Sequence, residues 1–218
     1  MSPTVASPPG AENRTEGVLT GRIDVTPEAL LAMPGGEHYE LIDGVPVEKT
    51  MSLLSSRIEV TLGRILDDYC TGKDLGWILG PTCGYRCFPW KPGKVRRPDA
   101  SFIARDRLPA AEHWSDGYVS IPPDLAVEVT SPSDEVYDLE LKVEEYLRAG
   151  VRLVWVIHPE IRTIQVIRTD GSGLRLRAGS ELSGEDVLPG FRCPVDALFP
   201  SVAAEESTAA AVEAPSAS

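Results

Sequence analysis

The order of apolar patterns along the chain predicts an α/β (α+β) fold, in which helices flank a mixed central β-sheet. A buried strand, a helix and a second buried strand follow one another between residues 125 and 157. Such a unit predicts two parallel strands joined by a right-handed crossover. Further strand patterns lie on both sides of this unit, at residues 76–80, 84–88, 100–103, 161–168 and 174–177.

The length of 218 residues, with 42% apolar and 25% charged residues, is that of one globular domain. Residues 1–24 and 201–218 are rich in small and polar residues, so we expect disordered tails around a folded domain at residues 25–200. No apolar run approaches the ~20 residues of a membrane helix, and the first residues lack a signal-peptide pattern. We therefore expect a cytoplasmic protein without membrane contact.

The N-terminal elements carry clear local signals. Thr26 and Pro27 are typical of the N-cap and first position of a short helix, here ending near Met33. Asp43-Gly44 between two apolar runs predicts a β-hairpin of residues 39–42 and 45–48. Ser56 to Glu59 resembles a capping box, which predicts a helix start there and an end near Gly72.

The strand–helix–strand unit at residues 125–157 also has clear start and stop signals. Residues 125–130 read as a buried strand, and Ser133 or Asp134 can cap the helix that follows and ends at Gly150. Residues 151–157 are continuously apolar, which is typical of a strand covered on both faces.

Two carboxylates in or next to the predicted strands indicate a catalytic site. Glu128 stands inside the apolar run of residues 125–129, where an unpaired carboxylate would cost several kcal/mol. Asp99 opens the apolar run of residues 100–103. Carboxylates at neighbouring strand ends are hard ligands that suit Mg²⁺, which Mn²⁺ can replace, with the main-chain carbonyl of Val129 as a further ligand. The pattern predicts a metal-dependent phosphodiesterase site.

Lys142 and Glu40 are the other candidates for this site. Lys142 is the single cation among eight acidic residues between Asp124 and Glu145, on the helix that follows the Glu128 strand. It can orient a water and offset charge on a phosphoryl group, or it can form a simple surface pair with Asp138. Glu40, in the first strand of the hairpin, belongs either to the site or to the wet face of the strand.

The charge distribution suggests where a polyanion would bind. The net charge of −12 argues against a general nucleic-acid coat protein, yet seven basic residues lie between Arg86 and Arg107. We expect Lys94, Arg96 and Arg97 to contact a nucleic-acid backbone at the mouth of the site; the alternative is a solvated surface. Cys83 and Cys87 have roughly the spacing of half a zinc site, but no second half in Cys or His follows, so we expect the four cysteines to be small buried residues.

Four segments, in this order, resemble the Uma-two family of restriction-endonuclease-like proteins in the PD-(D/E)XK nuclease superfamily: YELIDGVPVE, RRPDASFI, LAVEVTSPSDEVYDLELKVEEYLRAGV and LVWVIHP. The resemblance covers about residues 26–200 and implies a restriction-endonuclease-like fold. It identifies Pro98-Asp99 as the PD element, Glu128 as the (D/E) residue and Glu40 as the family's glutamate before the turn. Thr130 stands where the superfamily lysine is expected, and Lys142 resembles the migrated lysine of this family.

The sequence leaves two main functions open. One is a metal-dependent endonuclease acting on a nucleic acid, with DNA the expected substrate. The other is a non-catalytic nucleic-acid or protein interaction module that keeps the fold, which the overall acidity favours. A two-carboxylate glycosidase fits the composition poorly. Because one site per chain must cut both strands of a duplex, we expect a homodimer.

Overall fold

The computed structural model describes residues 24–108, 117–132 and 135–200. The predicted tails lie outside this part of the chain except for residue 24, and so does the predicted cap at Ser133 or Asp134. Among the described residues, no helix has the length and apolar character needed to cross a membrane.

The N-terminal elements pack beside the main sheet. Helix α1 (Pro27–Ala32) begins at Thr26, whose hydroxyl accepts from the amide of Ala29 as predicted. The hairpin of β1 (Tyr39–Ile42) and β2 (Val45–Glu48) turns at residues 43–44, both with positive φ. The backbone of Leu41 pairs with that of Val95, which ties this hairpin to the loop leading into the sheet.

Helix α2 spans Leu53–Lys73 and starts one turn earlier than predicted. Ser52 is the N-cap and forms a reciprocal capping box with Ser55. The predicted capping box at Ser56 is therefore wrong, because the side chains of Ser52 and Ser55 already satisfy the first free amides of the helix. Glu59, which the prediction used as a cap, is free to face another part of the molecule.

The central sheet has six strands in the order in which they occur in the chain. β3 and β4, β4 and β5, β6 and β7, and β7 and β8 are antiparallel neighbours, whereas β5 and β6 are parallel. The predicted mixed sheet with a parallel β5–helix–β6 unit is confirmed. The strands are β3 (Gly76–Leu79), β4 (Ala100–Ala104), β5 (Leu125–Val129), β6 (Leu153–His158), β7 (Thr163–Arg168) and β8 (Gly173–Leu176).

Helix α3 (Val136–Ala149) connects the two parallel strands and ends at Gly150, which has a positive φ. Sequence alone did not predict the last two strands, β9 (Glu181–Ser183) and β10 (Arg192–Pro194), which pair with each other. The predicted strand at residues 84–88 is wrong. Only Tyr85 there forms single bridges, to Arg96 and Val119, because the proline- and glycine-rich loop after it turns the chain away from the sheet.

The alternation along β5 divides the core into two layers. Leu125, Val127 and Val129 pack in the layer that contains α2, and Ala126 packs in the layer that contains α3. Period-two geometry therefore turns the side chain of Glu128 toward α3. The charged side chain of Glu128, in a buried strand, therefore faces the inner side of α3.

Candidate active site

A cleft of about 360 Å³ opens where β5 ends, between α3 and the β1–β2 hairpin. It collects residues from four separate parts of the chain, because strand ends, a hairpin and a crossover helix meet there. All four residues predicted as catalytic line it: Glu40, Asp99, Glu128 and Lys142.

Asp99 is fixed at the entry to β4 by backbone and side-chain hydrogen bonds. Its amide donates to the carbonyl of Val127 at 2.9 Å. Its Oδ2 accepts from the amide of Val129 at 2.6 Å, which places the carboxylate beside the residue that follows Glu128. Val129, which the sequence suggested as a carbonyl ligand, thus already contacts Asp99 through its amide.

Glu128 is buried and has partners on α3, as the cost of an unpaired buried carboxylate requires. Lys142 Nζ donates to its Oε2 at 2.8 Å, and the hydroxyl of Tyr146 donates to its Oε1 at 2.8 Å. Lys142 and Tyr146 are four residues apart and therefore share one face of the helix. Lys142 points into the cleft, and the alternative of a surface pair with Asp138 does not describe it.

Glu40 belongs to the site and not to the wet face of its strand, because it is only 5% exposed. Its Oε1 lies 3.1 Å from Lys142 Nζ and accepts from the amide of Arg97 at 2.7 Å. Its Oε2 accepts from Arg96 Nη1 at 2.8 Å. Lys142 is therefore in contact with two carboxylates, those of Glu40 and Glu128.

The three basic residues of the loop before Asp99 that were predicted to meet a nucleic-acid backbone point inward, which corrects that prediction. Lys94, Arg96 and Arg97 are 1%, 4% and 2% exposed. Lys94 and Arg96 both bind the buried carboxylate of Glu145 on α3. Paired charges at this depth are not available to phosphate groups outside.

Arg97 has a different internal role. Its guanidinium donates to the carbonyls of Tyr39, Thr82 and Gly36 and lies over the ring of Tyr118. These contacts join the hairpin to the loop before β4. Together with the ion pair of Arg96 and Glu40, they fix the hairpin beside the cleft.

Two residues near the site were missed from sequence. Lys49, directly after β2, places Nζ 2.5 Å from Asp99 Oδ1 and 2.6 Å from the carbonyl oxygen of Arg97. Glu59, in the second turn of α2, is close enough for the charges of Asp99 and Glu128 to affect its ionisation. An isolated lysine after a hairpin and a glutamate on a helix carry no local signal of this proximity.

Burial and neighbouring charges give the acidic residues near the site different pKa values. Burial raises the pKa of Glu128 to about 7, although Lys142 opposes this shift. Burial would also raise the pKa of Glu40, but Lys142 and Arg96 outweigh it and lower that pKa to about 2. Burial and then the charge of Asp99 raise the pKa of Glu59 to about 7. Such separated values are typical of functional sites, although ion-pair networks also produce them.

Several carboxylates line the cleft. In the part of the chain that the structure describes, no group of three or more histidine, cysteine, aspartate or glutamate side chains is arranged to hold a metal ion. All four cysteines are free thiols: Cys70, Cys87 and Cys193 are buried as predicted, whereas Cys83 is only partly buried. Asp99 and Glu128 are the two cleft carboxylates that the sequence suggested as ligands of an ion.

Fold and cleft together define a nuclease-like α/β protein, and comparison with known proteins agrees. The model of the Uma2 (Uma-two) family, described as "Putative restriction endonuclease", matches residues 27–196, and the chain belongs to this family. The structure resembles the crystal structure of a "putative nuclease belonging to DUF820" from Anabaena variabilis ATCC 29413. The TM-score is 0.68 with 19% identity over 80% of this chain and 97% of that one. No curated protein matches the sequence.

Proposed function

We propose that this chain is a metal-dependent endonuclease that hydrolyses phosphodiester bonds in DNA. The observation that carries the proposal is the buried Glu128, held by Lys142 and Tyr146 in the same cleft as Asp99. Membership of the Uma2 family supports nuclease chemistry in general. The metal and the DNA substrate are inferences from the site.

The donor set fits Mg²⁺ or Mn²⁺. Mg²⁺ commonly keeps several waters and takes only one or two carboxylates, so Asp99 and Glu128 with the carbonyl of Val129 would be a sufficient protein share. When bound, such an ion polarises a phosphoryl oxygen and lowers the pKa of a coordinated water. Two ammonium groups already neutralise these same carboxylates, which indicates that the cleft favours positive charge beside them.

The residues of the chain would contribute positioning and charge. Lys142, fixed between Glu128 and Glu40, can donate a hydrogen bond to the attacking water or to a phosphoryl oxygen. Tyr146 holds the second oxygen of Glu128, so the carboxylate keeps one orientation. Arg96 forms an ion pair with Oε2 of Glu40 and so fixes the position of that carboxylate. Pre-organisation of this kind reduces the rearrangement needed in the transition state.

The test is incubation of the purified protein with plasmid DNA, single-stranded DNA and RNA under Mg²⁺, Mn²⁺ and EDTA. We expect cleavage of DNA with either ion, none with EDTA, and none in Asp99→Asn or Glu128→Gln. Glu160→Gln, an exposed residue after β6, is the matched control. Equal cleavage by wild type and Asp99→Asn would identify a contaminating nuclease and contradict the proposal.

A second candidate is a non-catalytic interaction module with the same fold. The net charge of −12 and the acidic residues Glu48, Glu135 and Asp138 around the cleft favour it, because they oppose a polyanion. Saturable DNA binding without cleavage under any of these ions would support this alternative. A homodimer and a cytoplasmic location remain proposals, to be tested by sedimentation and by cell fractionation.

A further inference from the structure

Lys49 places a positive charge on the carboxylate that the proposed metal site requires. Its Nζ lies 2.5 Å from Asp99 Oδ1, and the other oxygen of Asp99 accepts from the amide of Val129. Both oxygens of this carboxylate are therefore engaged by groups of the protein. A metal ion bound to Oδ1 would lie close to the ammonium in this arrangement, so the two positive charges would repel each other.

The contact of Lys49 is internal and not a solvated surface pair. Its side chain is 17% exposed and that of Asp99 is 9% exposed. The carbonyl oxygen of Arg97, 2.6 Å away, accepts a second hydrogen bond from the same ammonium. One carboxylate oxygen and one main-chain carbonyl are the kind of hard oxygen ligands that Mg²⁺ or Mn²⁺ also prefers.

The backbone of Lys49 is fixed while its side chain has room to move. The amide of Lys49 donates to the carbonyl of His38 at 3.0 Å, which continues the β1–β2 ladder by one residue. The four-carbon side chain beyond this point has freely rotating bonds and lines the open cleft. The ammonium can therefore leave Asp99 without any change in the hairpin.

Lys142 differs from Lys49 in this respect. It contacts two carboxylates, Glu128 and Glu40, and Glu40 is held in turn by Arg96. Withdrawal of Lys142 would leave the buried Glu128 without its cation and remove one of the two cations beside Glu40, whereas withdrawal of Lys49 would expose one carboxylate at the cleft. The two lysines are thus suited to different tasks, one fixed and one exchangeable.

We infer that Lys49 is a tethered cation that competes with the divalent metal for Asp99 and is displaced when the metal binds. This inference rests on the proposed function, because it requires a metal at Asp99. In the metal-free protein Lys49 neutralises Asp99. In the loaded protein the released ammonium remains in the cleft, where it can contact the phosphate of a substrate.

The test measures Mn²⁺ binding directly, by the electron paramagnetic resonance signal of the free ion and by calorimetry. Lys49→Met removes the competing charge, so we expect its affinity for Mn²⁺ to exceed that of the wild type by about tenfold or more. Lys49→Arg keeps a cation that can bind both carboxylate oxygens, so we expect affinity no tighter than wild type. Lys91→Met is the matched control, because Lys91 pairs with Asp43 outside the cleft.

The outcomes separate this inference from the proposed function. The inference is supported if Lys49→Met binds Mn²⁺ more tightly than wild type while Lys91→Met does not. It is also supported if Mn²⁺ binding is detected in Lys49→Met and not in wild type. Equal affinity of wild type and Lys49→Met, lost in Asp99→Asn, would overturn the inference and leave the metal site intact. Failure of both wild type and Lys49→Met to bind Mn²⁺ would overturn both. If Lys49→Met does not fold, tighter binding by Lys49→Arg than by wild type would still overturn the inference.

Discussion

Nζ of Lys142 lies 2.8 Å from Oε2 of Glu128, which joins helix α3 to the middle of the sheet through one buried ion pair. Lys142 also contacts Glu40, so three charged groups from a hairpin, a strand and a helix meet at one point. Arg96 and Glu145 extend this chain of charges through the interior to Lys94. Lys142 is therefore part of a structural network, and its replacement should affect stability as well as the proposed activity.

Lys142→Met should lower the free energy of unfolding by about 3–5 kcal/mol at pH 8, because it leaves the buried carboxylate of Glu128 without its cation. The loss should be smaller at pH 5. Burial already raises the pKa of Glu128 to about 7, and removal of Lys142 raises it further, so Glu128 is protonated at pH 5 and costs less. Urea unfolding at both pH values measures the difference. Lys73→Met, at the exposed end of α2, is the control and should leave the free energy of unfolding unchanged at both pH values. An equal loss of stability in Lys142→Met at pH 5 and at pH 8 would contradict this account.

Glu40→Gln should reduce stability by about 3 kcal/mol at pH 7, the linkage expected for a carboxyl whose pKa falls from 4.5 to about 2. A carboxyl whose pKa is lowered by folding stabilises the folded state at pH values above its ordinary pKa of 4.5. The difference between wild type and variant should therefore shrink as the pH falls from 4.5 toward 2. Thermal unfolding across this range tests the sign, and a constant difference would show that Glu40 acts through packing alone.

Glu59→Gln should make the protein more stable than wild type at pH 8, by about 1 kcal/mol after solvent screening of this half-exposed group. Burial and Asp99 raise the pKa of Glu59 to about 7, so the ionised form is disfavoured in the folded state. Stability from this group is therefore lost as the pH rises from 4.5 to 7. The variant and wild type should have equal stability at pH 4. Glu144→Gln on the exposed face of α3 is the control, and lower stability of Glu59→Gln at pH 8 would contradict the prediction.

Lys94→Met should destabilise the fold by about 3 kcal/mol, because Glu145 loses one of its two buried cationic partners. Lys91→Met, three residues earlier, removes only an exposed pair with Asp43 and should cost less than ~1 kcal/mol. Denaturant midpoints of the two variants compare an inward and an outward lysine of the same loop. Similar midpoints, with a reduced salt dependence of DNA binding in Lys94→Met, would restore the role of a nucleic-acid contact for this loop.

Local chemistry in the sequence was sufficient for the parts of the fold that depend on neighbouring residues. Asp43-Gly44 predicted the hairpin turn, and Gly150 predicted the end of α3. The apolar runs around α3 predicted two parallel strands, because only a buried pair joined by a crossover helix has that pattern. The pairing of Glu128 was predictable for the same reason, since a carboxylate in such a strand must have a partner.

Tertiary structure decided how distant charges pair. Lys94, Arg96 and Arg97 have the sequence of an exposed basic loop, yet Glu40, Glu145 and several carbonyls draw them into the interior. Lys49 lies fifty residues before Asp99 and has no local pattern that signals the contact. Sequence determines which side chains carry charge and which strands must be buried. Only the packing of the hairpin against the sheet determines which charges meet, because an ion pair depends on distances across the fold and not along the chain.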